Sequence, residues 1–567
     1  MTKCLLLIVL LTFSGWTRAQ LNGNTTPTYP ELIAMYHKLA KEHQEIQLFN
    51  MGQSDYGLPI YLCVVNGGKD SLSTFEKARK ETTILINNGI HPGEPDGINA
   101  CLIWLDNWIK QGKKTNNLPV IAIIPTYNVG GAMNRSSSSR ANQDGPAEYG
   151  FRGNAKNLDL NRDFIKMDSE NAFTFARIFH GLNPDVFIDT HVSNGADYQY
   201  TLTYIASMKE RMAPSMAKIV HEEMIPALGT ALKRQNFPLI PYVDLKEDVP
   251  EKGMVVFNDL PRYAMGYAAL FHAISFTIET HMLKPFPERT QATLKFLEET
   301  IRWTCDHKEG IEEARLKAVQ FDQSLAYFNF NYSLTDEQDS LLFKGFEHSY
   351  PTSEVTGLQR LKYHRDKPFE KYIPFYNHYV AQDSVEIPEF YAIGRQNKEV
   401  IERLKANGVQ FTDNFPREEV IQLKVVSFDS PQKPYEGHFL HTNTVIEART
   451  KKGSDIVGEY VVLPTDQPNR RFILSVLEPE MEDSYFNWNF FDSYLQQKEY
   501  FSPYVFEDYA LQMLQRDISL KMEFEEKKKN DSDFAKSTWA QLYYLYQRSK
   551  FYEPSHNVLP IYRMYEQ

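Results

Sequence analysis

The run Thr82 to Ile86 is near-continuously apolar, and so is Val120 to Pro125. A strand that faces water on one side alternates apolar with polar residues, whereas a run apolar on both faces belongs inside a sheet covered on both sides. Between the two lies Pro95 to Lys110, where Ile98, Leu102, Leu105 and Ile109 recur at helical spacing and Pro95 suits a first helical turn. Strand, helix, strand is the repeat of an α/β fold, and in such folds chemistry collects on the loops at the carboxyl ends of the strands. The polar stretch Asn87-Asn88-Gly89-Ile90-His91-Pro92-Gly93-Glu94-Pro95-Asp96-Gly97 is such a loop.

The alternation extends from residue 30 to 319. A helix is expected over Pro30 to Gln44, strands over Ile46 to Asn50, Ile60 to Val65, Asp185 to Asp189 and Ala273 to Ile278, and helices over Ser169 to Leu182, over Met208 to Gln235 with a break at Pro226, and from Glu288 to Val319. The predicted fold class is α/β, a mixed, largely parallel sheet flanked by helices, over residues 20–319. Beyond Gln320 aromatics cluster at Tyr327, Phe328, Phe330 and Tyr332, strands are expected over Ile421 to Phe428 and His438 to Glu447, and helices over Asn397 to Asn407 and Tyr509 to Lys529. Residues 320–567 are therefore read as a C-terminal α+β accessory region.

A chain of 567 residues has room for more than one domain. Its net charge of −12 leaves no broad basic surface and argues against nucleic acid as a partner. Lys3 followed by the apolar run Leu5 to Phe13 and by Thr17-Arg18-Ala19 predicts a secretory signal over residues 1–19, since a membrane span needs about 20 apolar residues. No later run is long enough to span a membrane. The mature protein is thus expected in an exported compartment, periplasmic or extracellular. Cys63, Cys101 and Cys305, which remain after Cys4 leaves with the signal, are too few and too odd in number for a disulfide framework.

His91 and Glu94, separated by Pro and Gly, can converge as the first two ligands of a zinc site, and His191, just past Asp189, comes from the same sheet edge. Three N/O ligands with a fourth position open is the donor set of catalytic zinc. Glu279 ends the strand Ser275 to Ile278, where a carboxylate can accept a proton from zinc-bound water. The long polar segment Thr126 to Asp163 contains Asn157-Leu158-Asp159-Leu160-Asn161-Arg162-Asp163. A guanidinium fork beside an amide suits bidentate capture of a carboxylate, so Asn161 and Arg162 are a candidate anchor for a substrate's terminal carboxylate. His221-Glu222-Glu223 lacks a second histidine four residues on and is read as a solvated helix face. His281 is a candidate partner behind the site.

These motifs in this order resemble the zinc carboxypeptidase family of the funnelin type, over residues 30 to 310. The resemblance implies one zinc ion held by His91, Glu94 and His191, with Asp159 behind His91. It implies Glu279 as general base and Asn161 with Arg162 on the substrate carboxylate. A further arginine that polarises the scissile carbonyl is implied upstream of Asn161. Arg135, Arg140 and Arg152 compete for it, and because the spacing from Arg152 to Arg162 resembles that of the cytosolic-carboxypeptidase-like branch, the resemblance favours Arg152, with Arg140 second. A tyrosine lining the site is expected before Glu279, where Tyr263 and Tyr267 are available and Tyr267 is taken as the candidate. Arg262 suggests a pocket for an acidic side chain.

The function expected is that of an exported zinc metallocarboxypeptidase acting on peptides with a free C-terminal carboxylate. The same apparatus would also serve a zinc-dependent amidase or deacylase working on acylated amino acids or cell-wall peptides. A non-catalytic peptide- or glycan-binding protein would have no chemical need for the full set of ligands and glutamate.

Overall fold

The structure is a computed structural model that describes residues 21–115, 117–193, 195–412, 419–455 and 458–565. The predicted signal segment lies outside these residues. Ten strands come first: β1 Ile46–Gln53, β2 Pro59–Val65, β3 Thr83–Asn88, β4 Val120–Ile124, β5 Val186–Ser193, β6 Leu202–Ala206, β7 Leu239–Pro241, β8 Asp244–Leu245, β9 Met254–Val255 and β10 Ile274–His281. Eight of them form one sheet in the order β1-β2-β4-β3-β5-β10-β6-β7. The central strands β4, β3, β5 and β10 are parallel, while β2 on one side and β6 on the other run antiparallel to them, and β1 pairs antiparallel with β2. The sheet is mixed and flanked by helices, as the sequence pattern predicts. The strand β6 was not expected, although Leu202-Thr203-Tyr204-Ile205 has the alternation and β-branching of one.

Both faces of the sheet are covered. Ile84, Ile86, Ile121, Ile188 and Ile278 point to one side, where helices Asp96–Lys110 and Phe286–Asp306 bury them. Leu85, Ala122, Ile124 and Phe187 point to the other and pack with Phe175 and Phe179 of helix Glu170–Leu182. That second core continues into Phe472, Tyr485 and Trp488, so residues 320–567 share a hydrophobic core with the sheet. The helix Lys308–Ser324 carries the chain across residue 319 without interruption.

The accessory region adds β11 Tyr327–Leu334, β12 Asp339–Ser349, β13 Lys362–Tyr376, β14 Tyr379–Glu386, β15 Phe390–Gly394, β16 Glu419–Asp429, β17 Thr442–Lys452, β18 Tyr460–Pro464 and β19 Val558–Met564. These form a β11-β14 pair, a five-stranded sheet β17-β16-β19-β15-β18, and a four-stranded sheet β12-β13-β9-β8 that recruits two strands from the first half of the chain.

Two expected helices differ. The predicted break at Pro226 is bridged, because the wider π turn Lys218–Met224 precedes it and the helix resumes over Ile225–Arg234. The single helix expected over Tyr509 to Lys529 is two, Pro503–Arg516 and Ile518–Asn530, because the Asp517 side chain accepts from the Leu520 N–H and starts a new helix. Among the described residues no helix is long and apolar enough to cross a membrane.

Candidate active site

The loop after β3 is shaped by its own backbone. Gly89 has φ of 67°, and a Cβ there would lie 2.6 Å from Thr126 Oγ1, so only glycine fits. The Glu94 N–H donates to the His91 carbonyl at 2.8 Å, a turn that brings the two side chains to one point. His191 arrives from β5, and Glu279 is its register partner on the adjacent parallel strand β10.

His91 Nδ1 and His191 Nδ1 lie 3.1 Å apart, and each faces Glu94 Oε2, at 3.3 and 2.9 Å. The ligand atoms of the three residues all fall within 4.8 Å of one another, and all three side chains are buried. Each ring turns its Nε2 outward to a carboxylate: His91 to Asp159 Oδ1 at 2.9 Å and His191 to Asp189 Oδ2 at 2.6 Å. That arrangement fixes the tautomer that leaves both Nδ1 atoms for a cation. Two imidazole nitrogens and a carboxylate oxygen, converging and backed in this way, fit one zinc ion.

Asp189 went unremarked in the sequence, yet the signal was there. Residues two apart on a strand share a face, so Asp189 and His191 lie together, while Thr190 between them points to the opposite face and donates to Asn88 Oδ1 in the interior.

The electrostatics follow from burial among charges. Burial raises the Glu94 carboxyl, but Arg140 and His91, together with the His191 hydrogen bond, hold it well below the usual carboxylate range. Asp159 is likewise opposed by burial and held far down by His91, Arg152 and Arg162. His191 is pushed well above the ordinary histidine value by Asp189 and Glu94, against the desolvation that would lower it. Glu279 goes the other way. Burial, reinforced by Glu94 and Asp189 and opposed by His191 and Arg152, pushes its carboxyl up to about 8.

A cavity of about 540 Å³ opens over these groups, lined by His91, Glu94, His191, Glu279, Arg140, Arg152, Asn161 and Arg162 on its polar side and by Ile205, Tyr242, Phe257 and Met265 on its apolar side. Asp159 caps a short 3-10 turn, Leu160–Arg162, which holds Asn161 and Arg162 at the rim. The Asn161 amide oxygen accepts the Ala264 N–H at 3.2 Å, which leaves its NH2 as a donor. Arg162 lies over the Tyr263 ring, 4.6 Å from its centroid.

The three competing arginines separate. Arg135 donates to the Thr26 and Glu148 carbonyls, away from the cavity. Arg140 is mostly buried and donates to Glu94 Oε1 at 2.9 Å, so its guanidinium steadies a ligand. Arg152 is 47% exposed, pairs with Asp159 at 2.8 Å and presents an open flank to the cavity.

Two expectations need correcting. Tyr267 does not line the cavity: it points into the core from helix Ala264–Ala269, where its hydroxyl meets Asn407 and His180. Tyr263, just outside that helix, lines the cavity instead. Arg262 is nearly buried and its Nε donates to Asp483 Oδ1 at 2.8 Å, so it is not a pocket charge. Of the set-aside histidines, His221 donates to the Ser207 carbonyl and His281 stacks on Tyr198 at 4.0 Å, and neither lines the cavity.

Residues 32–221 match the family model described as zinc carboxypeptidase. Over that segment the chain is similar to zinc carboxypeptidases and is by class a zinc metallopeptidase, with His91, Glu94, Asp159, Asn161, Arg162 and His191 inside the matched segment and Glu279 beyond it. No curated protein matches the chain in sequence. Similar solved structures include a carboxypeptidase A from Helicoverpa armigera (15% identity, 54% of this chain and 78% of that one, TM-score 0.39) and a metallo-carboxypeptidase from Burkholderia cenocepacia (18%, 49% and 69%, 0.36). A third is a metallo-carboxypeptidase from Pseudomonas aeruginosa in complex with (2-guanidinoethylmercapto)succinic acid (13%, 50% and 69%, 0.36). Likenesses this distant leave the assignment to the family model.

Proposed function

We propose that this protein removes the C-terminal residue of peptides by hydrolysis. One observation carries the reading: a cluster of three candidate ligands, the Glu279 carboxyl and the Asn161–Arg162 pair share one cavity. His91, Glu94 and His191 would hold zinc, which when bound supplies a Lewis acid that acidifies water and polarises a carbonyl. Asn161 and Arg162 bind the terminal carboxylate and so set which peptide bond reaches the centre. Arg152 donates to the oxygen of that bond's carbonyl as negative charge develops on it. Glu279 takes a proton from the attacking water and returns it to the leaving nitrogen. The apolar wall, continuous through Phe257 and Tyr263 to Arg162, receives the last side chain. Export is supported by the amino-terminal sequence alone, Lys3 with Leu5 to Phe13.

The test compares a peptide with its C-terminal amide. The free acid is expected to be cut at its last bond, and Arg162→Ala to lower kcat/KM for it by about 100-fold, the cost of a charge-assisted pair. Equal cleavage of acid and amide would point to an amidase and overturn the carboxylate anchor. Among C-terminal residues, apolar side chains should exceed acidic or basic ones by at least about tenfold in kcat/KM. A library profile led by Asp or Glu would refute the apolar pocket.

A further inference from the structure

The chain from β16 to β17 does not simply turn in solvent. It reaches back across the sequence to the cavity rim, where it meets the Arg162 side chain and the Asp159 backbone. Tyr435 and His438 exchange backbone hydrogen bonds at 2.7 and 3.0 Å, and the two residues between them, Glu436 and Gly437, have φ of 48° and 85°. This is the pattern of a tight type I′ turn, whose central positions favour Asn, Asp and Gly. Gly437 fits that preference and Glu436 does not, because a glutamate at positive φ is strained.

What Glu436 offers is its carboxylate, which accepts the Asp159 N–H at 2.7 Å. Asp159 in turn holds His91 and caps the turn that carries Asn161 and Arg162. The neighbouring Tyr435 hydroxyl accepts from Arg162 Nε at 2.8 Å, and the Asn161 carbonyl takes Arg162 Nη1 at 2.9 Å. Of the guanidinium fork, Nη2 alone is uncommitted among these contacts. The turn is itself seated on a firm base, since Tyr435 stacks on the fully buried Trp488 and His438 pairs with Asp168 at 2.6 Å.

We infer that Tyr435 and Glu436 are positioning residues supplied by the accessory region, which orient Arg162 and Asn161 for the substrate's terminal carboxylate. The inference rests on the carboxypeptidase reading above. A carboxylate held alike in ground and transition states affects KM more than kcat, so loosening the anchor should appear in KM.

The test uses the full zinc-loaded chain with Glu436→Asn and Tyr435→Phe, assayed on a peptide with a free C-terminus and on its amide. Asn suits the turn but is too short to reach Asp159, so Glu436→Asn should not lower the melting temperature. Both variants should raise KM for the free acid about three- to tenfold, with kcat and the rate on the amide within about twofold of wild type, the scale of one ordinary hydrogen bond, since the group removed acts one step away from the substrate. Unchanged KM in both variants would overturn the inference. So would equal losses on acid and amide together with a lower melting temperature, which is what mere bracing of the fold would give. A wild-type enzyme that does not prefer the acid would instead sink the carboxypeptidase reading itself.

Discussion

Glu279→Gln is expected to keep its zinc and lose about 100- to 10,000-fold in kcat, the range spanned by general acid–base catalysis. The change removes a proton acceptor and little else. Gln has the same shape, and the ligands His91, Glu94 and His191 reach the centre from the loop after β3 and from β5 without using Glu279. The metal-free proteins give a second readout. With its carboxyl raised from 4.5 to about 8, folded Glu279 holds a proton that the unfolded chain has released. The native state therefore binds more protons, and stability falls as pH rises through that window. Glu279→Gln lacks that loss, so without zinc it should melt no lower than wild type at neutral pH. Near-wild-type turnover in zinc-loaded Glu279→Gln would remove Glu279 from the mechanism.

The parts of this site legible in sequence are those whose geometry is local. The apolar run ending at Ile86 places His91 and Glu94 on a loop beyond the strand, and the strands leading to His191 and Glu279 place both at the same sheet edge, where register sets them side by side. Asp189 could have been read from the same alternation. Tyr263 and Tyr267 are four residues apart, and choosing between them requires knowing which face of a short helix meets the core. Arg262 is legible as a charge, but its neutralising partner Asp483 comes from the accessory region, more than two hundred residues later. Tyr435 and Glu436 carry no motif, and their meaning exists only once the accessory region has packed on the sheet. Local pattern thus accounts for the candidate metal ligands and the proposed base, while tertiary packing decides the rim proposed to hold the substrate.

Removing a zinc ligand should have the largest effect of all. His91→Ala or His191→Ala leaves two donors where catalytic zinc takes three, and the full chain is expected to purify with little zinc and no measurable peptidase activity. The carboxylates behind the ligands grade the effect. Asp159→Asn and Asp189→Asn keep all three ligands but weaken the acceptors of the outward Nε2 atoms, and each should lose about 10- to 100-fold in zinc affinity. Proton release supplies an independent check. Asp189 and Glu94 hold a proton on His191 in the metal-free state against the cost of burial, and the ion must displace it. Zinc affinity should therefore climb as pH rises through neutrality, and climb less in Asp189→Asn, where the imidazolium has lost its charged partner. Competition titrations against a chelator at several pH values measure both. Stoichiometric zinc in either histidine variant would exclude that residue as a ligand, and a pH-independent affinity would mean that His191 enters the site already neutral.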